Sequence, residues 1–562
     1  MVGRDFINYA NRICEISDQF IVGLSHGKSP SGAYEYILNH YDELKYPEKI
    51  TYTCINSKLE RQRGLSHTRD ALSLLKALLE RNLISKDQII GRSLDRKNID
   101  KYCDGLNKWM QEYLLENNKE GLDFLFIATD TNGLTAGITR NSEAFKSNEI
   151  SVVVSDTEDK ELTFTPYFLK KSRKISFLAT KADKRRPLAW LYYRWAKDNE
   201  SPSFLRFIDN VNERMTVYID DNALTWPQVV LNRKTGYGDT TIRIDLAKPY
   251  DTYGKKKLPV VLFIHGFLGL NSFDALLAFI PSHKYIAAAF HYGSIPYDLP
   301  PEEFSQFVVE NINEAVKHFG ELGHDVYIFD HSMANVYMLM IERQFENLHG
   351  INKYLKGRIS ANPFFGSEVK HTTINFIDHV ILKSKIGLSD RAAFISIRKT
   401  LPFYRRNAVR RNSIGLSSIL IKKDSGITNR IWDAIKQRIL FILSDIDTLP
   451  ELNRVPIEHT LNRLPAKIFV IQIQSALRAS KKNEHLRKLK NFEQNNIPVL
   501  VLKSDRDPVA KYVKHPYADS SNVDVLDTTN WDEKDLFKEH LYYLIRPKST
   551  INIIEQFIKN NK

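Results

Sequence analysis

The chain alternates short apolar runs with stretches whose apolar residues recur at helical spacing. Runs at 20–24, 49–55, 124–129, 151–154 and 174–180 read as strands, and 66–82 reads as a helix. Strands separated by helices predict a mostly parallel α/β sheet over residues 1–210. The polar stretch 185–215, with Lys184-Arg185-Arg186 and Ser201-Pro202-Ser203, reads as a terminal helix and a linker. Beyond it, 216–219, 228–231 and 240–246 are short strands suited to an antiparallel sheet edge. Residues 258–264, 357–362, 497–503 and 523–527 read as further strands, and an amphipathic helix over 551–558 closes the chain.

One junction organises the second half: Tyr327-Ile328-Phe329-Asp330-His331-Ser332-Met333-Ala334-Asn335. An apolar strand stops at Ser332, and a helical pattern through Val336, Met338, Leu339, Met340 and Ile341 follows. A serine pinned at a sharp strand-to-helix turn is presented at the top of a sheet with a helix N-terminus behind it. The same hexamer also suits a plain helix N-cap. The flanks decide little alone: Ala334 keeps a small residue two after the serine, whereas Asp330 stands two before it.

Composition narrows the class. A chain of 562 residues exceeds one core, and 43% hydrophobic residues are enough to fold it. No run of about 18 apolar residues predicts a membrane span, and Met1-Val2-Gly3-Arg4-Asp5 lacks the apolar segment of a secretory leader. Cys14, Cys54 and Cys103 make neither a disulfide framework nor a zinc pattern, which suits a reducing cytoplasm. No metal and no cofactor is implied. The net charge of +13 suits an anionic substrate, anionic lipid or nucleic acid, or merely a lysine-rich composition.

In the first half, Ser25-His26-Gly27-Lys28-Ser29-Pro30 links a strand to a helix and suits a phosphate, as backbone N–H groups at a helix N-terminus do. An ordinary strand–helix turn reads the same way. The loop, the turn Thr129-Asp130-Thr131-Asn132-Gly133-Leu134 and the strand end near Lys181 together resemble the 6-phosphogluconolactonase and glucosamine-6-phosphate isomerase superfamily. The resemblance implies a parallel-sheet, sugar-phosphate-isomerase-like domain with Ser25, His26, Gly27, Lys28 and Ser29 as ligand-binding residues. Asn132 and Leu134 stand where that family carries its catalytic Asp and His, and Asn56-Ser57-Lys58 replaces its acidic patch. Neither an amide nor an isobutyl group takes a proton, so the family's chemistry is expected to be lost.

In the second half, the strand at 258–264 runs into His265-Gly266-Phe267-Leu268-Gly269, upstream of the serine. Glycines there bring backbone N–H donors close to a reacting carbonyl oxygen. Late in the chain come Ser504-Asp505-Arg506-Asp507-Pro508-Val509, after a strand, and His540, before the last helix. These pieces, in the order Ser, Asp, His, resemble the serine α/β-hydrolase family. The resemblance implies a triad of Ser332, Asp507 and His540, with Asp505 as the fallback acid, and an oxyanion hole from the N–H groups of Phe267 and Met333. Asp330 is a departure from its pattern, and an acid there either crowds the turn, perturbs His540 or points away. Glu539 departs from the glycine usual before the histidine.

The expected architecture is therefore an α/β chain: a sugar-phosphate-isomerase-like domain over 1–210, then an α/β-hydrolase core over 211–365 and 466–562. Between the core segments, 366–465 is surplus to a normal crossover of about 30 residues and reads as a large helical cap. It carries Arg405-Arg406 and Arg410-Arg411 near aromatic and apolar residues, a pattern that suits an anionic substrate, an anionic membrane surface or a solvated helix face equally. No nucleic-acid-reading module is visible. The expected activity is cleavage of an ester or thioester by a cytoplasmic serine esterase or thioesterase. The alternatives are an acyltransferase on the same triad and a non-catalytic two-domain scaffold.

Overall fold

The computed structural model describes residues 1–192, 214–363, 489–504, 517, 520–528 and 547–561. Excepted within these are 28, 61–63, 67–68, 91–97, 132, 140, 156–159, 254–256, 267–272, 293, 296–298 and 301–302. The chain divides into two compact units, Met1–Trp226 and Pro227–Lys562.

The strands of the first unit are β1 (Phe20–Leu24), β2 (Ile50–Cys54), β3 (Asn56–Glu60), β4 (Gly64–Ser66), β5 (Phe124–Ala128), β6 (Ser151–Val154), β7 (Glu161–Phe164), β8 (Lys174–Ala179) and β9 (Met215–Ile219). A parallel sheet runs β2-β1-β5-β8-β9. Its central strand segments, Phe20-Ile21-Val22-Gly23-Leu24 and Phe124-Leu125-Phe126, are buried throughout, as a parallel sheet covered on both faces requires. The helix Val2–Cys14 sets Phe6 edge-on to Phe124, with ring centroids 5.3 Å apart. The helix Ile99–Glu116 starts where Asn98 Oδ1 accepts from the N–H groups of Asp100 and Lys101, satisfying two otherwise orphaned donors.

Two expectations are corrected here. Strand 151–154 belongs to a separate antiparallel sheet, β4-β3-β7-β6, rather than to the parallel one. The short β3, β4 and β7 that complete this sheet carry too little alternation to be read in advance. Strand 216–219 lies beside β8 in the first unit and not on the edge of the second sheet. Its half-buried pattern specifies a strand but not its partner, and Tyr218 Oη donates to Asp5 Oδ2 at 2.5 Å, within that unit.

The second unit carries β10 (Gln228–Thr235), β11 (Gly238–Leu246), β12 (Val260–Ile264), β13 (Ile286–Phe290), β14 (Val326–His331), β15 (Leu355–Ala361), β16 (Val499–Lys503) and β17 (Val523–Asp527). They form one sheet in the order β10-β11-β13-β12-β14-β15-β16-β17. β10, β11 and β13 pair antiparallel, and every later pairing is parallel. Strand β13 was not expected from the pattern, because Ala287, Ala288 and Ala289 carry weak strand propensity. Along β14, Val326 and Ile328 face a core shared with the helices Phe304–Glu321 and Ala334–Arg343. Tyr327, on the opposite pleat, meets Phe557 of the C-terminal helix Pro547–Asn560. Helices thus cover both faces, leaving the strand ends to carry chemistry. The expected cap at 366–465 lies outside the described residues.

Candidate active site

The sheet order places a crevice before any side chain is considered. From β12 the chain crosses to β13 on one side, whereas from β14 it crosses to β15 on the other. Neighbouring strands whose connections part in this way leave a gap beyond their carboxyl ends, where open α/β sheets bind ligands. The residues at those two ends are His265-Gly266 after β12 and Ser332 after β14.

Ser332 is held in an uncommon shape. Its φ of +54° is left-handed, a conformation that costs an L-residue other than Gly, Asn or Asp about 1–2 kcal/mol. Its N–H donates to the Ala361 carbonyl at the end of β15 at 3.0 Å, and its own carbonyl accepts from Asn335 N at 3.1 Å. The helix Ala334–Arg343 begins at once. The first N–H groups of a helix have no intrahelical acceptor, so those of Met333 and Ala334 are donors by position.

The end of β12 leans directly on this turn. A Cβ on Gly266 would stand 2.8 Å from the His331 carbonyl oxygen, 2.8 Å from Ser332 Cβ and 3.3 Å from Met333 N. Only glycine fits there. Tyr292, after β13, donates its hydroxyl to the carbonyls of His265 (2.5 Å) and Gly266 (3.0 Å) at the strand end. The His265 ring packs 4.0 Å from the Tyr292 ring. Burial, helped by the nearby His291, pushes the His265 pKa down to about 3, so its imidazole is neutral at ordinary pH.

Asp330, the departure in the elbow, points into the protein and away from the turn. Arg358 on β15 meets it with two prongs, Nε to Oδ1 at 2.6 Å and Nη2 to Oδ2 at 3.0 Å. Ser360 Oγ donates to Oδ2 at 2.8 Å. The same guanidinium reaches Asn335 Oδ1 at 2.5 Å, an oxygen that also accepts from the Tyr517 hydroxyl at 2.8 Å. Asp330, Asn335, Arg358 and Ser360 are wholly buried. Burial is the largest single influence and works against the charge on Arg358, but Asp330 and Tyr517 together outweigh it and its pKa rises. Burial pushes Tyr517 up to about 12 against the pull of Arg358. A buried ion pair stays favourable only when hydrogen bonds support it; Ser360 and Asn335 do so here, while Arg358 Nη1 is buried without a partner among the described residues.

Of the expected site residues in this unit, Ser332 and Met333 are at the turn. Phe267, Asp505, Asp507 and His540 lie outside the described residues. Arg358, Asn335, Tyr292 and Tyr517 escaped the sequence reading. A signal for the first existed: an arginine inside one apolar strand and an acid inside another need each other.

In the first unit, the loop after β1 leads into the helix Ser31–Asn39, with Gly27 at φ +114°. Ser25 Oγ and Ser29 Oγ are buried without a hydrogen-bond partner among the described residues. His26 Nε2 stands 2.8 Å from Asn56 Nδ2, and the Tyr34 hydroxyl donates to the Ser25 carbonyl at 2.6 Å. Lys28 and Asn132 lie outside the described residues. Among the described residues no cluster of His, Cys, Asp and Glu is arranged to hold a metal ion, and no helix is long and apolar enough to cross a membrane.

No family model matches the sequence, and no curated protein matches it. Solved structures do. The N-terminal region is similar to 6-phosphogluconolactonase from Thermotoga maritima, at 18% identity and a TM-score of 0.32, over 39% of this chain and 92% of that one. A monomeric glucosamine-6-phosphate deaminase matches at 15% identity and a TM-score of 0.30, over 40% of this chain and 92% of its own. A "putative lipase" from Acinetobacter baumannii AYE matches at 13% identity and a TM-score of 0.34, over 59% of this chain and 91% of its own. Likenesses this distant do not decide the chemistry of either unit.

Proposed function

We propose that the second unit is a serine hydrolase that cleaves an ester or thioester with an apolar acyl part. The observation that carries this reading is the left-handed Ser332 at the strand-to-helix turn after β14, in the switch-point crevice, with Gly266 packed upon it. Support also comes from the sheet itself, a mostly parallel one with Ser332 following β14, the fifth strand in its order.

In this mechanism Ser332 Oγ attacks the acyl carbonyl while His540 takes its proton. The N–H groups of Phe267 and Met333 hold the oxyanion, and a lost donor costs about 3 kcal/mol of barrier. Asp507 orients His540 and stabilises the imidazolium. His540 then returns the proton to the leaving alcohol or thiol, and water, activated by the same base, releases the acid from the acyl-enzyme. A second acceptor in place of water makes the same machinery an acyltransferase. The basic segment at 366–465 supplies positive charge for an anionic substrate or membrane surface, and the site of action is the cytoplasm.

The test is covalent labelling by a fluorophosphonate probe. Labelling of wild type but not of Ser332→Ala supports the enzyme. Folded wild-type protein that repeatedly fails to label supports the scaffold instead.

A second reading concerns the first unit, because Ser25 Oγ and Ser29 Oγ are buried donors without a partner among the described residues. We read residues 25–29 as a phosphate-binding loop retained after the loss of catalysis, with a phosphorylated small molecule as ligand. Calorimetric titration with inorganic phosphate and with 6-phosphogluconate tests it: binding lost in Ser29→Ala is expected, and no binding of either sinks the reading.

A further inference from the structure

Arg358 grips the chain on both sides of Ser332. Through Asp330 it holds the residue two before the serine, and through Asn335 Oδ1 the residue three after it. Asn335 also donates its own N–H to the Ser332 carbonyl, at 3.1 Å. The serine N–H is tied to Ala361, on the same strand as Arg358 and next to Ser360. A left-handed serine persists only where its surroundings over-determine it, and these contacts are the surroundings.

The network does not end at the elbow. Tyr517 lies in the crossover between β16 and β17, the same crossover in which Asp507 stands, and its hydroxyl donates to the Asn335 oxygen that receives Arg358. The hub therefore links three pieces: the Ser332 turn, the strand beside it and Tyr517.

We propose that Arg358, with Asp330, Asn335 and Tyr517, is a positioning clamp that fixes Ser332 Oγ for attack. The clamp touches no substrate. It rests on the reading of Ser332 as a nucleophile and adds to it a set of residues outside the triad and oxyanion hole. A guanidinium serves because its planar fork engages a carboxylate with two bonds while Nη2 also donates to Asn335 Oδ1.

The experiment uses the full chain and a fluorophosphonate probe, with kinact and KI determined separately. The variant Asp330→Leu/Arg358→Met removes both charges and keeps an apolar volume, an exchange that buried ion pairs commonly tolerate. The clamp predicts a fall in kinact of at least about tenfold, with KI changed less than about threefold, at temperatures where circular dichroism shows full folding. Tyr517→Phe deletes one hydroxyl without altering packing and serves even where the double variant does not fold. It is expected to lower kinact about threefold with KI unchanged, measured below an unfolding midpoint that falls slightly with the loss of one buried hydrogen bond. A role in stability alone would move the midpoint and spare kinact. Wild-type labelling with unchanged kinact in Tyr517→Phe and in any folded double variant overturns the clamp but not the hydrolase. Failure of the wild type to label overturns both.

Discussion

Gly266 and Ser332 touch so closely that a Cβ on the glycine would come 2.8 Å from the Cβ of the serine. The carboxyl end of β12 is thus seated against the Ser332 turn. Gly266→Ala must push His331 or Met333 N aside. Overpacking of this kind costs about 1–3 kcal/mol, and a displaced nucleophile costs about a hundredfold in rate. Ester turnover and denaturant unfolding of the variant, measured together, should show the rate falling further than stability explains.

The Asp330–Arg358 pair makes a separate prediction about stability. Arg358→Met alone leaves a carboxylate buried without its counter-charge, at a cost of about 3–5 kcal/mol. Asp330→Leu alone strands the guanidinium in the same way. Removing both should cost much less than the sum of the two. Urea midpoints for the transition of the second unit, taken around this double-mutant cycle, test it; additive losses would refute a coupled pair.

Buried His265 gives the second unit a pH dependence whose sign is fixed. Its folded pKa of about 3 lies below the unfolded value, which is about 6.5. Between these values the unfolded chain binds a proton that the folded chain refuses. The stabilising effect is complete above about pH 6.5 and is lost as pH falls towards about 3, at up to about 1.4 kcal/mol per pH unit. The His291 ring faces it, with ring centroids 6.4 Å apart, and His291 Nε2 stands 2.9 Å from Asp245 Oδ2. Replacing His265 by Gln should flatten the loss of urea midpoint between pH 7 and pH 4.5 relative to wild type. Parallel losses in the two proteins would assign the acid sensitivity elsewhere.

The first unit should turn over neither 6-phosphogluconolactone nor glucosamine 6-phosphate. By the resemblance, Asn132 and Leu134 take the positions of the family's proton-transfer residues, and neither side chain can take a proton; the Leu134 N–H donates to Asp130 Oδ1 at 2.7 Å. Assays on the Ser332→Ala protein keep the second unit from contributing. Turnover of either substrate that vanishes in Ser29→Ala would show that a base has been rebuilt.

Much of this was legible in the sequence, for reasons that differ by residue. The strand-to-helix change at Ser332 and the glycine after His265 are local signals, since period and φ preference are written into a few neighbouring residues. The buried strands flanking them were readable for the same reason. What escaped was pairing. Arg358 reads as a stray charge in an apolar strand until β14 and β15 lie side by side in register. Asp330 likewise reads as a defect until its partner is in place. Strand 216–219 shows the same limit in the backbone, because half-buried alternation carries no address. Tyr292 and Tyr517 belong to connections, whose contacts are set by the sheet and not by their own neighbours.

The assignment of Ser332, Asp507 and His540 as one catalytic unit predicts a pattern of non-additivity. Residues that act together lose nearly the whole effect with the first removal, so Ser332→Ala, His540→Ala and the double variant should all retain about the same residual rate. Asp507→Asn should also be severe, because the imidazole then loses the group that sets its tautomer and stabilises its charge. Asp505→Asn should be mild, since only one of the two acids can face the histidine. The reverse order would move the acid to Asp505 and leave the nucleophile intact. Independent, multiplicative losses at Ser332 and His540 would mean that His540 does not act on the serine. The base for the left-handed serine in the crevice would then have to be sought elsewhere in the second unit.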